Sequence, residues 1–328
     1  MIGILSIDHG LLIEMSVTVN EIFQLAQMLT ITWKTRIAWL LCLGIGYLAR
    51  GQELEPRAYA ALPKNLNTIA VGYGFSRGNV LTDPALPVSN LKVSLQSLTG
   101  VYLRTFEVGN KLARVQVNVP FIKIFGKLQI NGHDTTGSRN GFGDARIRLG
   151  INLTGTPALG RKEFSGYTQK TIVGVSLVTV LPTGLYHTEK RINTGSNRWA
   201  LKPEVGISKR FKRVYAEAYA GVWFYSDNNK YLVDKTLHQE PVFSVQGHAS
   251  YYFKNLMWVS VNTTWFNGGR TLIDDTPQGD LLDNWRIGAT WSVPIAKGQS
   301  LKLQFHVGAF TASGYDYNAV SLVYQHIF

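Results

Sequence analysis

The chain has 328 residues, 45% hydrophobic and 16% charged, with 32 glycines and a formal net charge of +12. It is long enough to bury a core of its own, but no run of eighteen apolar residues occurs, which excludes a conventional membrane-spanning helix. A single cysteine, Cys42, excludes an internal disulfide and a site of paired cysteine ligands.

Residues 1–27 contain no lysine or arginine, and Met28 makes a better start for an export signal than Met1, so 1–27 reads as a start-site artefact. Lys34 and Arg36 then supply a basic flank, residues 37–48 an apolar stretch, and Ala49-Arg50-Gly51 a cleavage site with small residues where they are needed. Residues 28–51 are therefore expected to be a cleaved signal peptide and Gln52 the first mature residue. Cys42 leaves with it, and Leu41 before that cysteine is not the small residue of a lipoprotein site. The basic excess survives cleavage, because Lys34, Arg36 and Arg50 are lost together with Asp8, Glu14 and Glu21. Nucleic acid is not an expected partner: the chain is expected to be exported, its basic residues are spread out, and no nucleic-acid motif is present.

Residues 52–64 form a lead segment without strand character. From residue 65 to 328 the pattern predicts one all-β domain of about twelve strands, near 65–77, 92–107, 110–123, 142–154, 170–182, 198–210, 213–226, 240–253, 256–269, 283–295, 299–312 and 317–328. Each is long enough to cross a bilayer at a tilt, for which about nine to eleven residues suffice. Long connections (78–91, 124–141, 183–197, 227–239, 270–282) alternate with tight turns (108–109, 211–212, 254–255, 296–298). A transmembrane antiparallel β-barrel with short periplasmic turns and long outer loops has this asymmetry, and a soluble sandwich has no reason for it.

Within the strands, polar and apolar residues alternate, as in DARIRLGINLT at 144–154. In a barrel the polar face lines the lumen and the apolar face meets lipid, with aromatics such as Phe121, Trp199, Phe224, Trp265, Trp285 and Trp291 near the strand ends as an interfacial girdle. The chain closes on VSLVYQHIF, whose terminal Phe328 resembles the residue that outer-membrane assembly machinery recognises. The expected location is the outer membrane of a Gram-negative cell, and the expected partners are the lipid bilayer, that machinery and a small-molecule solute.

Four phrases, ELEPRAYAALPKNLN at 53–67, GFGD at 141–144, VLPTG at 180–184 and LKPEVG at 201–206, resemble the outer-membrane transporter family of the meta-cleavage pathway of phenol degradation. The resemblance implies passage of small, often aromatic or hydrophobic compounds, and it carries no binding residues over. Candidate lumen residues therefore come from the strand faces alone: Lys92, Arg104, Arg114, Asp144, Arg146, Arg148, Lys202, Glu204, Glu217, His248, Arg286, Lys302 and His306. Their basic excess suggests an anion-favouring lumen; the same charges could equally pair across strands and fill the barrel. Tyr102, Tyr215, Tyr219 and Trp223 are expected to point inward as well, where they could stack an aromatic solute.

Two other classes compete. A structural or adhesion barrel would place its function in the outer loops. An outer-membrane lipid hydrolase would use His248 and Ser250, two apart on one strand, but that pair falls on the lumen face and a lipase must present its nucleophile to lipid. Asp274, Asp275, Asp280 and Asp283 do not have the spacing of a calcium loop. Neither metal nor cofactor is called for, and no enzyme activity is expected.

Overall fold

The computed structural model describes residues 55–81, 88–130, 133–190, 192–311 and 314–328. The expected start-site artefact, signal peptide and cleavage point lie outside them. The wall of the molecule is built by β1 (Asn67–Leu81), β2 (Val88–Val108), β3 (Lys111–Ile130), β4 (His133–Phe142), β5 (Arg146–Thr154), β6 (Ile172–Val180), β7 (Ala200–Phe211), β8 (Val214–Tyr225), β11 (Val242–Tyr252), β12 (Trp258–Gly268), β15 (Leu282–Ala296), β16 (Gln299–Thr311) and β17 (Gly314–Ile327). Every neighbouring pair is antiparallel, β17 pairs back onto β1, and β4 and β5 are successive pieces of one stave. The result is a closed twelve-stranded barrel. Closure of β17 onto β1 pairs the strands around the wall, so their backbones can be hydrogen-bonded without water, and among the described residues β4 keeps one side that no strand pairs.

Burial runs opposite to that of a soluble protein. Along β7 the residues Leu201, Val205 and Ile207 are exposed while Lys202, Glu204 and Ser208 are buried, with Val205 at 50% exposure and Lys202 at 1%. Only a lipid exterior makes this ordering favourable. Phe121, Trp199, Phe224, Trp285 and Trp291 are likewise exposed on the outer face.

Tight turns join the strands at the end that carries both Asn67 and Phe328, whose backbones hydrogen-bond to each other. Between β2 and β3, Gly109 and Asn110 both take positive φ, 54° and 61°, as a two-residue turn compatible with strand twist requires. At the other end the connections are more ordered than the loops expected from sequence. β2 and β3 continue pairing from Val108↔Lys111 out to Val88↔Ile130, and β4 pairs with β3 along its whole length. Residues 227–239 and 270–282 contribute β9 (Asn228–Tyr231), β10 (Lys235–Gln239), β13 (Thr271–Ile273) and β14 (Thr276–Pro277), a separate four-stranded sheet. Backbone pairing extends these segments despite their polar composition, because each hairpin partner supplies the hydrogen bonds. The long connection on the turn side, 155–169, contains one helical turn, α1 (Arg161–Phe164).

Candidate functional site

Residues 55–64 lie inside the barrel. Their path is set by a notch: Gly174 of β6 and Gly206 of β7 are register partners, and a Cβ on either would stand 2.4 Å and 2.2 Å from ring carbons of Tyr59. Glycine in a strand commonly marks such a close approach. Tyr59 is 1% exposed, packs edge-on against Tyr219 with ring centroids 5.1 Å apart, and its hydroxyl lies 2.9 Å from Ser176 Oγ and 3.1 Å from Glu204 Oε1.

Side chains of the wall grip the segment on both sides of that ring. Arg114 of β3 donates to the carbonyls of Ala58 (2.6 Å) and Ala60 (2.9 Å) and to Asn152 Oδ1 (3.2 Å). Glu217 of β8 accepts from the backbone N–H of Arg57 (2.7 Å) and from its Nη1 (3.1 Å). The Arg57 guanidinium also lies 3.9 Å over the ring of Tyr215 and donates to Gln169 at 3.1 Å. Towards the turn end, Lys64 pairs with Glu107 at 2.6 Å, and the Lys64 and Asn65 N–H groups donate to the Leu159 and Thr105 carbonyls. A buried polar group left unpaired costs roughly 1–3 kcal/mol, so this matched set fixes one position of the plug.

A charge network continues above Tyr59. Glu204 accepts from Lys202 Nζ at 2.6 Å and from Arg148 Nη2, and Arg148 Nη1 lies 3.7 Å from Glu55. The cations of Arg146 and Lys202 sit 5.7 Å and 5.3 Å from the ring centroid of Trp223. Trp223 in turn belongs to an apolar cluster with Val178, Ala200, Val242 and Phe266 inside the barrel.

The opposite side of the lumen holds a cavity of about 500 Å³. Leu95, Val101, Ile122, Val180 and Val323 give it apolar walls, Ser76, Ser97, Thr99, Gln304 and Ser321 a polar fringe, and Glu55, Asn118 and Arg146 border it. Small inward residues keep it open: a Cβ at Gly72 would meet Val323 at 3.2 Å and one at Gly74 would meet Ser97 at 2.8 Å.

The wall beside this cavity is interrupted. Between β4 and β5, Gly143, Asp144 and Ala145 leave the sheet, and beyond that level the side of β4 away from β3 faces the connection that follows β6. That connection is tied on by Asp144, which accepts from Gly184 N (2.9 Å), Ser196 N (2.7 Å) and Ser196 Oγ (2.6 Å). The Phe142 carbonyl accepts from Leu185 N and from Thr194 Oγ1, both at 2.9 Å. Phe121 and Phe142 stack edge-on at 5.4 Å, exposed on the outer face at this break. In the separate outer sheet, the Thr236 N–H and then the Lys235 ammonium hold the Asp274 carboxyl below its ordinary range.

Most of the candidate lumen residues face inward, but they do not form one ring. Arg114, Glu217, Tyr215 and Tyr219 meet the plug; Arg146, Arg148, Lys202, Glu204 and Trp223 lie in the charge network above it. Arg286 donates to the Tyr317 carbonyl (2.9 Å) and covers its ring, while Lys302 sits 5.8 Å over Trp258. His306 is buried. His248 is buried too, with Nδ1 2.9 Å from Asn262 Oδ1 and its ring 4.9 Å from Tyr219. Asp144 is displaced from the expected strand into the break. Lys92 falls outside the described side chains.

Two assignments are corrected. Tyr102 and Arg104 stand on the outer face, because β2 pairs with Thr105 opposite the inward Arg114, which places Arg104 opposite Val115 and Tyr102 opposite Val117. Tyr102 is 38% exposed and donates to Asn67 Oδ1 at 2.8 Å. The inward face of β2 carries Leu95 and Val101, which line the cavity, and Leu103, and that apolar content made the two faces look exchanged.

The family model described as "Putative MetA-pathway of phenol degradation" matches residues 72–322. The chain belongs to this family. The COG4313 outer membrane channel from Pseudomonas putida F1 has the same fold at 19% identity, with 84% of this chain and 100% of that chain covered and a TM-score of 0.72. The transport unit of the autotransporter AIDA-I from Escherichia coli aligns at 8% identity over 84% and 93%, with a TM-score of 0.50. No curated protein matches the sequence. As a member of the phenol-degradation family with a closed barrel and an apolar outer belt, the protein resides in the Gram-negative outer membrane.

In this family member the four phrases that carry the resemblance meet in two pairs. Tyr59 of ELEPRAYAALPKNLN seats on Gly206 and Glu204 of LKPEVG, and Asp144 of GFGD holds Gly184 of VLPTG. Sequence reasoning left Glu55, Arg57 and Tyr59 without a role. The signal for them was Gly174 and Gly206, glycines at inward positions of strands whose other inward residues are larger.

Proposed function

We propose that the protein is a non-enzymatic outer-membrane channel for small hydrophobic or aromatic compounds, which enter the cavity beside the plug and leave sideways through the break in the wall. The observation that carries this reading is the occupation of the lumen by residues 55–64 next to a half-apolar cavity of about 500 Å³. A plug held by matched hydrogen bonds and ion pairs obstructs a straight aqueous path. The cavity borders Asp144 and Thr194, which tie the loop across the break, and the exposed Phe121–Phe142 pair lies on the lipid side of it. An apolar solute gains by passing from cavity to lipid there, at about 25 cal/mol per Å² of apolar surface kept from water. The basic lumen residues are mostly engaged in pairing and plug docking, which favours this reading over a general anion pore.

The test locks the loop to the broken stave. Gly141→Cys with Leu185→Cys places two Cβ positions 3.0 Å apart in a mature chain expected to contain no other cysteine. Proteoliposome uptake of phenol should be fast in the reduced protein, slow after oxidation and restored by reductant, while ionic conductance stays small throughout. Uptake indifferent to the crosslink would rule out this exit.

A further inference from the structure

The two ends of the barrel arrange their charges differently. At the outer end acids and bases are mixed: Lys235 pairs with Asp274 at 3.1 Å, Lys190 lies 4.0 Å from Glu189, and His238 Nδ1 lies 2.7 Å from Asp227. The turn end is basic. Lys111, Lys212, Arg213, Lys254 and Lys297 stand exposed in or beside the tight turns. The connection before β6 adds Arg161, Lys162 and Lys170, exposed as well. The carboxylates of this end are used otherwise: Glu107 is held by Lys64 at 2.6 Å, and Glu163 accepts from the Gly160 N–H at 2.7 Å. Each tight turn also exposes an apolar side chain beside its cation. Val108 precedes Lys111, Phe211 and Val214 flank Lys212 and Arg213, Phe253 and Leu256 flank Lys254, and Ile295 precedes Lys297. Leu256, in its turn, is 73% exposed. Lys209 adds a direction. It stands on the lipid face of β7 between Ile207 and Phe211, and its ammonium lies 5.1 Å over the Phe211 ring, towards the turn.

We infer that the turn end is a binding surface for anionic phospholipid headgroups, whose phosphates take the cations while Phe211, Phe253, Leu256 and Ile295 enter the acyl boundary. Barrels of this kind place their short turns in the periplasm, so the lipid is that of the inner leaflet. Like charges gathered at one end repel one another, and an anionic surface supplies the counter-charge. A lysine on a lipid-facing wall runs its stem along apolar neighbours and carries its charge to the headgroup level, which is the course Lys209 takes over Phe211. An acidic soluble protein would also answer the charge, but it gives no reason for an apolar side chain beside the cation in every tight turn. The boundary between headgroups and acyl chains does. The inference is independent of what the barrel carries.

The experiment reconstitutes the mature barrel in phosphatidylcholine liposomes and compares spin-labelled phosphatidylglycerol with spin-labelled phosphatidylcholine at the protein boundary. The anionic lipid should associate about fivefold more strongly at low salt, the effect of about one cation per headgroup. The preference should fade at about 1 M salt, where the Debye length is about 3 Å. Lys212→Gln combined with Arg213→Gln and Lys254→Gln should reduce it to about twofold or less, with heat-modifiable migration unchanged. Lys190→Gln combined with Lys235→Gln, at the outer end, should leave it as it was. An absent preference, one that survives the triple variant, or one that the outer-end variant removes would overturn the inference. So would capture of soluble poly-glutamate by the barrel, but not by the triple variant, in nanodiscs of pure phosphatidylglycerol. The lipid would then have left those cations open to an acidic protein.

Discussion

On the β6–β8 side of the lumen the inward positions include Gly174, Ser176, Glu204, Gly206, Glu217 and Tyr219, and each of them meets Arg57 or Tyr59 of the plug. On the β1, β2 and β17 side the inward positions include Gly72, Gly74, Ser76, Ser97, Val101, Ala319 and Val323, and they border open space. Both sides use small residues pointing inward. On the first side a glycine pair is flanked by carboxylates and hydroxyls that match the plug's donors, so the small residues make a socket. On the second, apolar and hydroxyl side chains offer the plug no partner for its charges, and the small residues make a cavity. A vacancy in a barrel is thus defined by what its rim can hydrogen-bond as much as by its width.

The largest effect that sharpens this contrast is expected from Glu217→Ala. It leaves the Arg57 guanidinium, 11% exposed, without its carboxylate, and breaking a buried pair in this way costs about 3–5 kcal/mol. The plug should undock, seen as a several-fold rise in single-channel conductance and as trypsin cleavage after Arg57. Ser97→Ala on the cavity side should change stability by less than about 0.5 kcal/mol and leave conductance alone.

Next comes a test of the wall that separates plug from lipid. Leu149→Lys, outward on β5 and 50% exposed, should cost about 2–4 kcal/mol near the bilayer midplane, read from refolding into vesicles. Arg104→Ser, outward but close to the turn end, should fall within about 1 kcal/mol. Arg148→Ser should behave differently from both, keeping the barrel folded but loosening the plug, since Arg148 joins Glu204 to Glu55.

Gly206→Val is expected to have an intermediate effect of about 1–3 kcal/mol by overpacking against Tyr59. Its signature is conductance, which should rise as the ring leaves the notch. Gly74→Val should do the reverse of a plug mutation: Ser97 Oγ can rotate away, the plug stays, and uptake of phenol slows because the cavity is smaller.

The smallest effect belongs to the outer sheet. The Asp274 carboxyl is held below its ordinary range in the folded protein, so its contribution is present above the unfolded value and is lost as pH falls through the lower folded value. Hydrogen exchange at the Thr236 amide should therefore be more protected at neutral pH than near pH 3, and Asp274→Asn should remove that dependence while plug and conductance remain as they were. A conductance change accompanying it would mean that the outer sheet and the plug are coupled.

Much of the barrel was legible in the chain. Period-two alternation is local, and a residue such as Ile147 or Arg148 carries its face assignment without reference to any distant partner. Strand number, the alternation of tight turns with long connections, and the lipid-facing aromatics followed from it. The two misplaced residues, Tyr102 and Arg104, mark where that logic stops, because β2 has apolar residues on its inner face as well and only its register with β3 decides which side is which.

What the sequence determined by itself is therefore the class of molecule, a β-barrel chain whose polar residues face inward, since hydrophobic periodicity depends only on neighbours along the chain. What the tertiary structure decided is the function-bearing part: that residues 55–64 fold back into the lumen, that Tyr59 finds Gly174 and Gly206 more than a hundred residues away, and that Asp144 pins the 181–199 connection across a break in the wall. Those contacts join groups distant in sequence through shape and hydrogen-bond complementarity, and neither property has a period that a linear pattern can display.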